Sequence, residues 1–222
     1  MKLVRLSKKA IIRIFLILLA ITIYILIKHN NMYICSTDKV SIVSLGVIDG
    51  HLSGRKDNII EDNINSYQNN NTHTHGDKVL EFVKKYAENQ QIYYFDAERY
   101  DKISSTSIID GLEWMKKRGV KNVSISLSSR FYSAELDNWL NDNRNDITVY
   151  ASYNNLSNSL DYPAMYKRVI GVGANLKNMK QGDWSFKSRK MIVYSKRGIS
   201  YFNGNSFLAP YVMIKQCLKN NN

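Results

Sequence analysis

Proline and cysteine are nearly missing from this chain: each occurs twice in 222 residues. Two cysteines, Cys35 and Cys217, are too few for a disulfide framework, so a buried core has to hold the fold; one bridge or two unpaired thiols are both open. The scarcity of proline points to no function. No internal repeat and no second domain is visible beyond residue 39. The chain also lacks a basic helix and an aromatic–arginine motif, so nucleic acid is not an expected partner. At 44% hydrophobic and 23% charged residues, disorder is excluded as the default, and 222 residues suit one domain with a real core.

Acidic residues are absent from positions 1–28, which instead carry six basic ones, among them Lys2, Arg5, Lys8, Lys9 and Arg13. An unbroken apolar run from Ile14 to Ile27 follows, closed by Lys28. Counted from Ala10, with Arg13 snorkelling, it approaches the roughly 20 residues that cross a bilayer. The basic flank is the amino-terminal one, which keeps that end cytoplasmic and exports the rest. A cleavable signal peptide is the rival, but no small-x-small site follows Ile27, and an uncleaved anchor is favoured. The expected organisation is an anchor over 1–28, a linker over 29–39 and one domain over 40–222. Of the formal net charge of +12, half lies in the first 28 residues. The remainder is spread thinly and suits at most an anionic membrane surface or cell wall.

Val40 to Ile48 reads as a short buried strand ended by Asp49-Gly50, and residues 53–72, asparagine-rich, as an exposed loop. A helix opens near Gly76 with Val79, Phe82, Val83 and Tyr86 as its apolar stripe. Further strands are expected at 91–95, 120–127, 147–151, 168–172 and 191–194. Helices are expected at 104–118, 133–143 and from about Ser206. Strands alternating with helices predict an α/β fold, a mostly parallel sheet covered on both faces, with ligands outside the carboxyl ends of the strands.

Asp49, His75-Gly76 and Gly204-Asn205-Ser206 supply, in that order, an acid, an imidazole and a hydroxyl. Hydroxyl activation needs these three groups: the imidazole takes the serine proton, and the carboxylate fixes the imidazole tautomer. In context they are similar to the motifs of the subtilases, the subtilisin-like serine peptidases. The resemblance covers about Val40 to Cys217 and rests on further landmarks. Ile125-Ser126-Leu127-Ser128-Ser129 resembles the strand end that binds the substrate backbone. Tyr150-Ala151-Ser152-Tyr153-Asn154 resembles the segment ending in the oxyanion-hole asparagine, and Tyr162-Pro163-Ala164 with Gly171-Val172-Gly173-Ala174 is also typical. The resemblance implies a three-layer subtilisin-like fold and a serine endopeptidase. It assigns catalysis to Asp49, His75, Ser206 and the oxyanion donor Asn154, with Asn155 as the alternative donor. Substrate binding falls to Ser126, Leu127, Ser128, Ser129 and Tyr153. No cofactor or metal is implied; the partners are a peptide or protein substrate and the membrane.

Several positions depart from the family pattern. Asp77 follows His75-Gly76 where a small hydroxyl residue is usual, and its charge is expected to favour protonated His75. Ser128 and Ser129 replace glycines, Tyr153 replaces a glycine, Asn205 a threonine and Ala209 a small hydroxyl residue. Pro210 is expected in the first turn or so of the last helix, where its missing N–H costs little. No pro-segment fits between Ile27 and Val40. These losses motivate a second expectation of a different class, a degenerate member that binds peptides without cleaving them. His73 and His75 alternate as metal ligands can, but no carboxylate or cysteine with suitable spacing joins them.

Overall fold

A computed structural model describes residues 7–30, 32–36, 42–54, 59–64, 73–99, 102–156, 161–175, 179–196 and 198–219. In chain order the elements are α1 (Lys8–Asn30), β1 (Tyr33–Ser36), β2 (Ser44–Asp49), β3 (Glu61–Asp62), α2 (His75–Tyr86), β4 (Gln91–Asp96), β5 (Glu98–Arg99), β6 (Lys102–Ile103), α3 (Ser105–Lys117), β7 (Asn122–Ile125), α4 (Ala134–Asp142), β8 (Thr148–Ser152), β9 (Val169–Ala174), β10 (Trp184–Phe186), β11 (Lys190–Ser195), β12 (Gly198–Asn203) and α5 (Asn205–Lys219). The main sheet runs β10-β9-β8-β7-β2-β4-β3, and every neighbouring pair is parallel. Its central strands β2, β7 and β8 are buried along nearly their whole length, because helices cover both faces.

Two cores result. On one face α2 and α5 pack their stripes onto the sheet, with Val79, Phe82, Val83, Leu208, Val212 and Met213 fully buried. The Phe82, Phe202 and Phe207 rings meet there at centroid distances of 5.1–5.8 Å. On the other face α3 and α4 cover Ile48, Val123, Ile125 and Val149 with Leu112, Met115, Leu136 and Leu140. Burying one side chain of this size contributes about 1.5–3 kcal/mol. The helices start where side chains satisfy their orphan N–H groups. Thr74 and Asp77 form a reciprocal capping box on α2, Ser104 and Ser107 one on α3, and Ser133 caps α4.

Two expectations change, and the open question of the cysteines closes. Tyr33–Ser36, inside the stretch read as a linker, is a strand paired in parallel with β11. The 191–194 strand lies outside the main sheet, in a separate three-stranded sheet β1-β11-β12. Both cysteines are free and buried, so no bridge forms. Asn69-Asn70-Asn71, within the loop expected at 53–72, falls outside the described residues.

Candidate active site

Parallel strands all present their carboxyl ends at one edge, and two helices aim their N-termini there. Asp49 is the last residue of β2 and is completely buried. His75 is the first residue of α2, and Ser206 lies in the first turn of α5. The approach of α2 to β2 depends on Gly76: a Cβ there would lie 2.2 Å from the Tyr94 hydroxyl and 2.6 Å from the Gly50 carbonyl. Tyr94 Oη in turn donates to that Gly50 carbonyl, fixing the turn behind Asp49.

The three side chains form a continuous line. His75 Nδ1 stands 2.7 Å from Asp49 Oδ1, and His75 Nε2 stands 3.1 Å from Ser206 Oγ. Asp49 Oδ1 also accepts from the Gly50 N–H at 2.7 Å, whereas Oδ2 is buried with no hydrogen-bond partner among the described residues. Burial pushes the Asp49 carboxyl above its usual range, opposed chiefly by the hydrogen bond from His75. That same bond to Asp49 raises the imidazole of His75, whose side chain is half exposed. The Asp77 carboxylate accepts from the N–H groups of Thr74 and Ser53 and so also serves the helix cap.

Pro210 is the sixth residue of α5, deeper than expected, and has no N–H to give the carbonyl four residues earlier. That carbonyl belongs to Ser206. Ser126, at the end of β7, replaces the missing donor: its Oγ donates to Ser206 O at 2.7 Å. The strand expected to hold substrate therefore also anchors the residue bearing the hydroxyl. Ser126→Ala leaves a buried carbonyl unpaired and should cost about 1–3 kcal/mol. Thermal denaturation should show a lower Tm for the alanine variant and recovery in Ser126→Thr.

Asn154 follows β8 at the same edge. Its Oδ1 accepts from the Leu156 N–H at 2.7 Å, and no described residue accepts a hydrogen bond from its Nδ2. Asn155, the alternative donor, has its Oδ1 occupied by the Asn205 N–H at 2.8 Å. Asn205 is a residue that sequence reasoning missed. Almost fully buried, it donates from Nδ2 to the carbonyls of Tyr153 (3.1 Å) and Asn154 (2.9 Å) and accepts at Oδ1 from the Ala174 N–H (3.2 Å). A side-chain amide can make all of these bonds where a threonine hydroxyl cannot, and its place beside Ser206 was the available signal.

The remaining sequence-derived residues divide. Leu127 and Ser128 follow β7 outside its strand pairing, and among the described residues nothing pairs with their backbone groups, which suits an added strand. Ser129 is not free: its N–H and C=O pair with the C=O and N–H of Tyr162 at 2.7 and 2.8 Å. Tyr153 is buried rather than surface-lining. Its hydroxyl donates to Asp183 Oδ2 at 2.5 Å, and Lys180 Nζ bonds Asp183 Oδ1 at 2.7 Å. Its ring lies where a Cβ on Gly171 would meet it at 2.5 Å, so the glycine lost at 153 is matched by the glycine at 171. The Lys180–Asp183 pair, also missed, neutralises a carboxylate in which only 1% of the side chain is exposed.

A family model described as "Subtilase family" matches residues 52–215. The match begins just after Asp49, so the place of that carboxylate rests on the geometry above. Subtilisin Savinase of Lederbergia lenta is 36% identical over 121 residues, covering 49% of this chain and 45% of its own. An alkaline protease of Alkalihalobacillus alcalophilus is likewise 36% identical over 121 residues, covering 49% of this chain and 32% of its own. The match thus spans less than half the length of these relatives. Among solved structures, a cold-adapted subtilisin-like serine proteinase superposes with a TM-score of 0.62 at 16% identity, covering 82% of this chain and 79% of that one. A lanthipeptide protease superposes with a TM-score of 0.55 at 15% identity, covering 81% and 73%. The structural likenesses carry the fold. The family match runs through the helix that starts at His75 and into the one that starts beside Ser206, and on that ground the chain belongs to the subtilase family.

Proposed function

We propose that this protein is a serine endopeptidase, held in a membrane by α1 with its peptidase domain outside the cytoplasm. The observation that carries the reading is the unbroken line Asp49–His75–Ser206, with 2.7 and 3.1 Å between successive groups. Ser206 Oγ attacks the scissile carbonyl as His75 Nε2 takes its proton, and Asp49 stabilises the imidazolium that forms. The developing oxyanion is met by the Ser206 N–H, which lies in the first turn of a helix and has no intrahelical acceptor, and by the Asn154 Nδ2 amide. His75 then protonates the leaving amine, and a water activated by the same imidazole hydrolyses the acyl-enzyme. The substrate lies extended along Leu127 and Ser128. Support for the anchor is a helix long and apolar enough to cross a membrane, Lys8–Lys28, with a mean hydropathy of 2.8 and none of that window buried. The basic residues that precede it orient its N-terminus to the cytoplasm.

The direct test is covalent labelling of the folded protein by a fluorophosphonate probe. Modification at Ser206 is expected, and its absence where a known subtilase reacts would reject the enzyme in favour of non-cleaving peptide binding. The pH profile is a second check. His75 acts as a base only when neutral, and the hydrogen bond to Asp49 raises its pKa above 6.5. Activity should therefore rise through an acid limb centred above pH 6.5; a limb at or below that value contradicts the coupling of the two residues. For stability the sign is opposite. The His75–Asp49 contribution is complete below 6.5 and is lost as pH climbs through the raised pKa of the folded state.

A further inference from the structure

The small sheet β1-β11-β12 joins two things that sequence alone keeps apart, the end of the apolar helix and the start of the serine-bearing one. At its near end, the Met32 N–H bonds back to Ile27 O at 3.1 Å, and Tyr33 opens β1. The Tyr33 hydroxyl accepts from the Lys187 N–H at 2.8 Å, and Tyr24, Ile27, Lys28, Met32, Tyr33 and Lys187 line one recess. The end of α1 thus shares a recess with the first residue of β1 and with Lys187. At the far end, β12 runs through Phe202 and Asn203 to Ser206, and the Gly204 N–H bonds Arg189 O at 3.1 Å beside β11. Tyr33, Met191 and Phe202 are partners in one row across the three strands. Two strand spacings and four residues of chain place Ser206 no more than about 25 Å from Tyr33.

The outer face of this sheet is mostly apolar. Register puts Lys190 and Asn203 in one row, Ile34, Ile192 and Tyr201 in the next, and Ser36, Tyr194 and Ile199 in the one after. Ile34 is 49% exposed, Ile199 56% and Tyr201 71% around a buried Ile192, while the alternate residues Cys35, Met191, Val193 and Phe202 face the core. A sheet with one solvated face should carry mainly polar residues on it, and five of the eight here are isoleucine or tyrosine. Exposed lysines border it: Lys28, Lys187, Lys190 and Lys196.

We infer that this face rests on the outer leaflet of the bilayer that α1 crosses, an inference that depends on the membrane-anchored reading above. What selects lipid over another protein is continuity. Ile34 lies four residues beyond the helix, within the depth of the headgroup layer, where tyrosine rings are favoured and lysine side chains snorkel toward headgroup phosphates. Docking there fixes the catalytic edge close above the membrane. Extended juxtamembrane stretches of membrane-tethered chains then reach Ser206 more readily than free peptides do.

The test uses the full chain in proteoliposomes, with Tyr201→Cys or Ile199→Cys carrying an environment-sensitive fluorophore and Asp142→Cys, on α4 in the opposite layer, as the reference. Cys35 and Cys217 are buried and should label little. Lipids bearing a quencher at the headgroup should quench the labels at 201 and 199 at least threefold more than the label at 142, and more strongly in anionic than in zwitterionic vesicles. In Ile199→Glu/Tyr201→Glu, cleavage of a lipid-tethered peptide should drop about tenfold relative to a soluble peptide of the same sequence. Two results overturn the lipid docking: equal quenching at the three positions, or a disulfide linking the introduced thiols of two neighbouring Tyr201→Cys molecules. The disulfide assigns the face to a second copy. Release of the protein from the vesicles by alkaline carbonate defeats the anchor reading itself, and with it this inference. Retention without quenching defeats only the docking.

Discussion

Ser206→Ala should reduce turnover by roughly 10⁶-fold, the scale of the same truncation in subtilisin, while leaving the fold in place. The hydroxyl meets the imidazole on that ring's half-exposed side, so its removal takes one hydrogen bond and no packing from the core. The carbonyl of residue 206 keeps its Ser126 donor, because that bond uses the backbone. His75→Ala should cost about as much, and the double variant little more, since residues acting as one unit do not add. Steady-state cleavage of a peptide substrate, with fluorophosphonate labelling read in parallel, checks this. Activity persisting in the alanine variant at a hundredth of the wild-type rate would mean that another group performs the attack.

The second large effect is expected at Asp49, where function and stability should part company. Asp49→Asn should lower kcat by about 10⁴-fold. The carboxylate meets both the Gly50 N–H and His75 through Oδ1, and the fully buried Oδ2 has no partner among the described residues. An asparagine can keep its oxygen toward those two donors, with its amide nitrogen in the orphan position. The loss then comes from removing the negative charge that stabilises the imidazolium, and less from a wrong tautomer. Two measurements separate these causes. The acid limb of kcat/KM should move to lower pH, because the group that raises His75 has gone. Tm at neutral pH should change little, because relief of the buried charge is offset by an amide without an acceptor and by the weakened bond to His75. A charge kept in a place that does not favour it marks a site shaped by chemistry rather than by stability.

Much of this was legible in the chain. Strands at 44–49, 91–96, 122–125, 148–152 and 169–174 announced themselves as short β-branched runs between amphipathic helices, since a sheet buried on both faces leaves little else to write. The order of acid, histidine and serine, each at a strand end or a helix start, brought the site with it. What stayed hidden depended on distant partners. Tyr33-Ile34-Cys35-Ser36 is too short to declare itself, and its pairing with Met191–Tyr194 is not a local property. Pro210 was visible, but that its missing N–H would be replaced by Ser126 could not be seen from either residue. Thr74-His75-Gly76-Asp77 did carry a readable signal of the capping box, a hydroxyl and a carboxylate three apart at a helix start.

The separation of the reacting groups along the chain has a consequence of its own. Ser206 and His75 stand 131 residues apart and meet only through closure of a long loop, which in a parallel sheet comes late and slowly. No partial chain emerging from the ribosome holds both groups until almost all of the sheet has been made. On the function proposed above, a newborn copy has no assembled triad with which to cut its own unfolded segments, and the triad closes only as α5 docks.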